Sequence, residues 1–67
     1  MRIITQSGEE YEACEFKQSG KVINIKSVED RRRNIIVGIY DSRQRAMEVF
    51  KEIEHSISSG MYKMPKN

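Results

Sequence analysis

The chain has 67 residues, 12 of them basic and 10 acidic, for a net charge of +2, with one cysteine and one histidine. A monomer of this length withdraws only roughly 60% of its unfolded surface from water, so residues 1–67 are expected to form a single marginal domain that needs very good packing or a partner. One Cys and one His exclude an internal disulfide and a four-ligand structural zinc site, and the mixed charge lacks the one-sided field of a dedicated nucleic-acid binder.

Arg2 to Thr5 reads as a short first strand, followed by a turn at Ser7-Gly8. A second strand is expected from Glu9 to Lys17, with a change of parity inside it. Tyr11 and Ala13 fall on one face, whereas Cys14 and Phe16 fall on the other. Either a β-bulge or a strand apolar on both faces produces that pattern. Gln18-Ser19-Gly20-Lys21 is a hairpin turn in which Gly20 is free to take positive φ. The third strand, Val22 to Val28, sets Ile23, Ile25 and Ser27 on one face and Val22, Asn24 and Lys26 on the other. Residues 29–34, EDRRRN, are a polar run and read as an exposed loop. Ile35 to Tyr40 is the most β-prone segment, with Ile35, Val37 and Ile39 on one side and Ile36 and Tyr40 flanking Gly38 on the other.

A helix over about residues 42–59 follows. Asp41 or Ser42 can cap it, and Asp41 with Gln44 resembles a capping box. Gly60 is placed to end it, with Met61 packing back on the last turn. Ala46, Val49, Phe50, Ile53 and Ile57 fall within an arc of roughly 100°. Glu48, Lys51, Glu52 and His55 occupy the opposite side. Residues 61–67 remain as a short extended tail. The expected fold is α+β, an antiparallel sheet of three to four strands followed by one long amphipathic helix packed on one face.

No apolar run approaches the roughly 18 residues that suggest a membrane span. The lone thiol, and a start that passes directly into strand-like sequence, predict a cytoplasmic protein with no membrane contact. One helix covers only one face of a sheet, yet the 35–40 strand is apolar on both, as in strands buried on both sides. A second copy of the chain or another protein is therefore expected on the uncovered face, with a homodimer favoured. Ile36, Tyr40, Met61, Tyr62 and Met64 are the candidate interface residues, since Tyr and Met give large, adaptable apolar contact. For the three tail residues the alternative is that they fold back and close the monomer's own core.

Two arginine groups offer a second reading, as a site for nucleic acid or a nucleotide. Arg31, Arg32 and Arg33 have the planar forks that suit phosphate oxygens, although Glu29 and Asp30 dilute their field and no aromatic residues are interleaved for base stacking. Arg43 and Arg45 stand in the first helical turn, where the helix dipole already supplies positive charge. The bland alternative is that Arg45 pairs with a strand acid or with Glu48. Cys14 and His55 are the only side chains suited to nucleophilic or acid–base work near neutral pH. One lies mid-strand among apolar neighbours, as a small buried hydrophobe, and the other on the polar helix face, so neither is expected to be catalytic. The pairs Glu9-Glu10 and Glu52-Glu54 are ordinary surface acids, and there is no Gly-rich phosphate loop. A non-catalytic protein with no cofactor and no metal is expected.

The phrases "MRIITQ", "GIYDSRQRAMEVFKEI" and "YKMPKN" resemble a group of short proteins encoded by phages and prophages of low-GC Gram-positive bacteria. Those proteins begin with a similar Ile-Ile-Ser/Thr-Gln phrase, carry a strand ending in Gly-x-Tyr and an Arg-Ala helix start, and finish with Tyr-x-Met-Pro. The likeness covers residues 1–6 and 35–65, while residues 9–34 match only in apolar alternation. It implies a mobile element in a bacterial host cell and carries no recognised chemistry. By analogy with small phage proteins of this size, it implies a regulatory module, such as an inhibitor of a host or defence factor.

Overall fold

The computed structural model describes residues 1–66. Five strands and one helix run in the order β1 (Arg2–Ile4), β2 (Glu10–Ser19), β3 (Val22–Ser27), β4 (Asn34–Ile39), α1 (Arg43–His55) and β5 (Met61–Lys63), with a 3-10 turn at Ile57–Ser59 before β5. The sheet order is β4-β3-β2-β1-β5. The first four strands form an antiparallel meander, and β5 lies parallel to β1 with Arg2 opposite Met61 and Ile4 opposite Lys63. The expected α+β class holds, but the sheet has five strands and is mixed. The tail is the reason: its three residues extend beside β1, and the Met64 N–H donates to the Ile4 carbonyl at 2.8 Å to continue the pairing.

Sequence and local geometry agree at the hairpin between β2 and β3. Ser19 pairs with Val22, which leaves a two-residue loop in which Gly20 has φ of 59°. That left-handed conformation costs a residue with a Cβ more than it costs glycine. The parity change in β2 is a bulge. Ala13 pairs with Ser27 and Glu15 with Lys26, so Cys14 is the extra residue, and Phe16 returns to the core side opposite Ile25.

A second bulge, in β4, was not signalled. Asn24 pairs with Ile36 and Ile23 with Gly38, which leaves Val37 extra. Beyond it the faces exchange. Tyr40 turns into the core at 2% exposure, whereas Ile39 shares the outer face with Ile36, at 54% and 58% exposed. The expected grouping of Ile39 with Ile35 and Val37 is therefore corrected.

Ser42 caps the helix with extended backbone, its Oγ accepting from the Arg45 N–H at 3.1 Å. This places Arg45 at the third helical position, where a capping box would carry an acid. The helix stops at His55 rather than 59. Ser56 Oγ donates to the Glu52 carbonyl at 2.8 Å and Ser59 Oγ to the Ser56 carbonyl at 2.7 Å. Serine hydroxyls competing in this way for backbone partners are a reason helices end. Ile57, expected on the buried stripe, is exposed in the 3-10 turn.

Ala46, Val49 and Ile53 of α1 pack against Ile3, Ala13, Ile23, Ile25, Val37, Tyr40 and Met64. Each fully buried Ile or Val contributes about 1.5–3 kcal/mol relative to exposure. Tyr40 and Met64 close this core over Gly38, where an added Cβ would stand 2.8 Å from Tyr40 Cε2 and 2.9 Å from Met64 Cε.

Candidate functional site

The five residues named for a protein interface separate into three groups. Tyr40 and Met64, at 2% and 1% exposure, belong to the monomer's core and have no surface to offer. Tyr40 Oη donates to the Pro65 carbonyl at 3.0 Å, and burial pushes its phenol up to about 12. Tyr62 faces the helix from β5, donating to Glu52 Oε2 at 2.6 Å. Burial first, and then that bond and the Glu52 charge, hold its phenol far above the ordinary tyrosine range. The tail thus closes the monomer, and Tyr62 is spent on an internal contact.

Ile36 and Met61 remain exposed. They occupy opposite edge strands of the sheet. Ile36 has a neighbour that sequence reasoning missed. Because Val37 is extra, Ile36 and Ile39 occupy successive outward positions opposite Asn24 and Val22. Together with the half-buried Val22 they make an apolar patch at one side of the outer sheet face. The rest of that face is not apolar as expected: Glu10, Glu12, Glu15, Lys17 and Lys26 alternate outward along β2 and β3.

Beside the patch a groove of about 510 Å³ crosses β2, β3 and β4, with Cys14, Glu15, Lys17, Asn24, Lys26 and Asn34 among its walls. A second depression of about 360 Å³ shares Cys14, Glu15 and Lys26 and adds Arg31. Register places Glu15 opposite Lys26 and Lys17 opposite Asn24 on this face. Glu15 and Lys26 form an ion pair at 3.6 Å. Asn24 Oδ1 is buried without a hydrogen-bond partner among the described residues. None of these β2 and β3 residues was singled out from the sequence, because polar side chains at alternate strand positions are ordinary until the register is known.

The arginines do not gather. Arg31 borders the outer depression. The Arg32 N–H donates to Asp30 Oδ1 at 3.1 Å in the loop. Arg33 exerts its charge on the Tyr11 phenol, against the stronger upward push of the Tyr11–Glu9 hydrogen bond. At the helix start Arg45 pairs with Glu48 at 3.7 Å, the bland alternative foreseen for it, and Arg43 is exposed on α1.

Cys14 and His55 are likewise apart in role. Cys14 is exposed at the β2 bulge, not buried as expected, and its Sγ donates to the Lys26 carbonyl at 3.4 Å. His55 is the last residue of α1 and is exposed. Among the described residues no three His, Cys, Asp or Glu side chains are grouped to hold a metal ion, and no helix is long and apolar enough to cross a membrane. No protein-family profile, curated protein or solved structure matches the chain.

Proposed function

We propose that this protein is a non-catalytic binding module of a phage or prophage, acting in the bacterial cytoplasm, and that it works through protein contacts made by the outer face of β4. The observation that carries the reading is the pair Ile36 and Ile39, more than half exposed side by side on a sheet face that none of the described elements covers. Apolar side chains next to one another at the centre of a contact supply most of its energy, with a polar rim excluding water. The first occupant is a second copy of the chain, and a host protein is the next. The phage setting rests on the resemblance of three phrases, residues 1–6, 38–53 and 62–67, and a regulatory role on analogy with small phage proteins.

Light scattering over a dilution series tests it. The expected result is a mass of twice 7.9 kDa that persists in about 0.5 M salt, because apolar contacts are not screened, and that falls to the monomer in Ile36→Lys and Ile39→Lys. A concentration-independent monomer would sink self-association. A dimer indifferent to both substitutions would move the contact away from β4.

A further inference from the structure

We propose that the groove across β2, β3 and β4 binds a small phosphate-bearing ligand, held by Lys17, Lys26 and Arg31 with the Asn24 and Asn34 carboxamides beside them. Charge is the first reason. The chain as a whole is nearly balanced, at 12 basic to 10 acidic residues. The groove and its extension place these three cations against one acid, Glu15. That acid neutralises little: its pair with Lys26 is 3.6 Å long and both partners are well exposed, so it contributes at most about 1 kcal/mol and yields to a better anion. Among the described residues neither Lys17 nor Arg31 has an ion-pair partner.

Register supplies the geometry. Lys17 stands opposite Asn24, and Lys26 is two residues further along β3 on the same face. Such diagonal neighbours lie about 7–8 Å apart, a separation from which two flexible ammonium groups converge on one phosphate. Asn24 adds a buried acceptor with no donor among the described residues. An unmet acceptor is costly, and a ligand that carries an N–H or O–H beside its phosphate relieves that cost. The volume of about 510 Å³ lies in the range of small-molecule sites.

A short ligand fits better than a polynucleotide. Beyond the groove the same face carries Glu10 and Glu12, the latter paired with the Met1 ammonium at 2.7 Å, so the positive track does not continue along β2, and the aromatic ring that borders the groove, Phe16, is half-buried rather than open for base stacking. Arg43 belongs to the helix that covers the other face of the sheet and lines neither depression.

The test uses the whole chain, with ATP and inorganic tripolyphosphate as probes and backbone amide spectra as the readout. Cys14, which borders both depressions, provides a second readout through its rate of alkylation by N-ethylmaleimide. Saturable shifts at residues 15–17, 24–26 and 31, with slowed alkylation of Cys14, are expected. Equal affinity for the two probes would assign recognition to the phosphate chain, and tighter binding of ATP would add the nucleoside. Lys26→Gln and Lys17→Gln, both at outward positions, should each weaken binding at least about tenfold, as loss of a charge-assisted hydrogen bond does, while Arg43→Gln changes nothing. The proposal is overturned by the lack of any saturable shift, by shifts centred on residues 43–46, or by unaltered binding in both lysine variants. A single-stranded oligonucleotide that outcompetes both probes, with a footprint spread over Arg31 to Arg33, would overturn it in favour of nucleic acid. Alkylation of the unmodified protein keeps the test decisive even if a variant fails to fold.

Discussion

Gln6 and Ile39, 33 positions apart, clasp one another in both directions: the Ile39 N–H donates to Gln6 Oε1 at 2.8 Å and Gln6 Nε2 donates to the Ile39 carbonyl at 3.2 Å. A side-chain amide carries the same donor and acceptor as a peptide group, so Gln6 stands in for a neighbouring strand at the free edge of β4. Its own N–H donates to the Val37 carbonyl at 3.2 Å, and Nε2 also reaches the Pro65 carbonyl at 3.1 Å. An edge that would otherwise invite pairing with another chain is thereby occupied. The contact also draws β4 and the tail, at opposite ends of the sheet order, onto one residue.

Gln6→Ala removes three side-chain hydrogen bonds and should destabilise the fold by about 1–3 kcal/mol, at a net value of about 0.5–1.5 kcal/mol per bond reduced by partial exposure. Urea unfolding measures the loss. Hydrogen exchange locates it: the Ile39 amide should lose protection well before the Ile25 amide does. Equal loss at both would show that the clasp is not local.

Gly38→Ala tests the close approach of Tyr40 and Met64. A methyl placed 2.8–2.9 Å from both side chains forces them to shift, and overpacking of this kind costs about 1–3 kcal/mol. Thermal unfolding should register the drop, and Met64→Ala in the same chain should recover part of the strain while adding a cavity cost. An unchanged melting temperature in Gly38→Ala would mean that the tail moves aside freely.

Ser42→Ala removes the cap of the only α-helix among the described residues. The expected cost is about 0.5–2 kcal/mol, with Ser42→Asp close to neutral because aspartate caps as well and adds a favourable charge at the helix start. Chemical denaturation of the two variants side by side distinguishes lost capping from a general intolerance of substitution at this position.

High pH should unfold the protein through its tyrosines. Tyr40 and Tyr62 both have folded pKa values above the ordinary tyrosine value of 10.0, Tyr40 at about 12. The unfolded chain therefore releases these protons first. The stability they contribute is complete below pH 10 and declines as pH climbs from 10 through the folded values. Urea midpoints at increasing pH should fall across that window, and Tyr62→Phe should flatten the fall by removing one of the two groups. A midpoint that stays level to pH 12 would contradict the burial of both phenols.

Much of the framework was legible locally. Alternation of Ile23, Ile25 and Ser27 against Val22, Asn24 and Lys26 fixed the faces of β3, and the stripe Ala46, Val49 and Ile53 fixed the buried side of α1. β4 failed for a definite reason. In Ile35-Ile36-Val37 every position is apolar, so a bulge leaves no mark on the pattern, and simple alternation puts Ile39 and Tyr40 on each other's faces. β5 is three residues long and its partner lies at the other end of the chain, so no local signal announced it. For the site, Ile36 could be named because the 35–40 segment is apolar on both faces and a single helix covers only one of them. Lys17 and Lys26 could not, since only the pairing of β2 with β3 makes them neighbours.

The parallel pairing of β1 with β5 also sets the order of events during folding. Residue 2 waits for residue 61, so the sheet cannot be completed until nearly the whole chain is in place. The meander from β2 to β4 closes over short hairpins and can assemble early. The seam between the first and last strands must overcome a large loop entropy before any bond rewards it. Until then the Ile3 side chain has no cover from β5, and Met64 is missing from the core. A chain that stalls at this stage exposes the hydrogen-bonding edge of β1, which makes the final six described residues the step that separates a sealed sheet from one open to other chains.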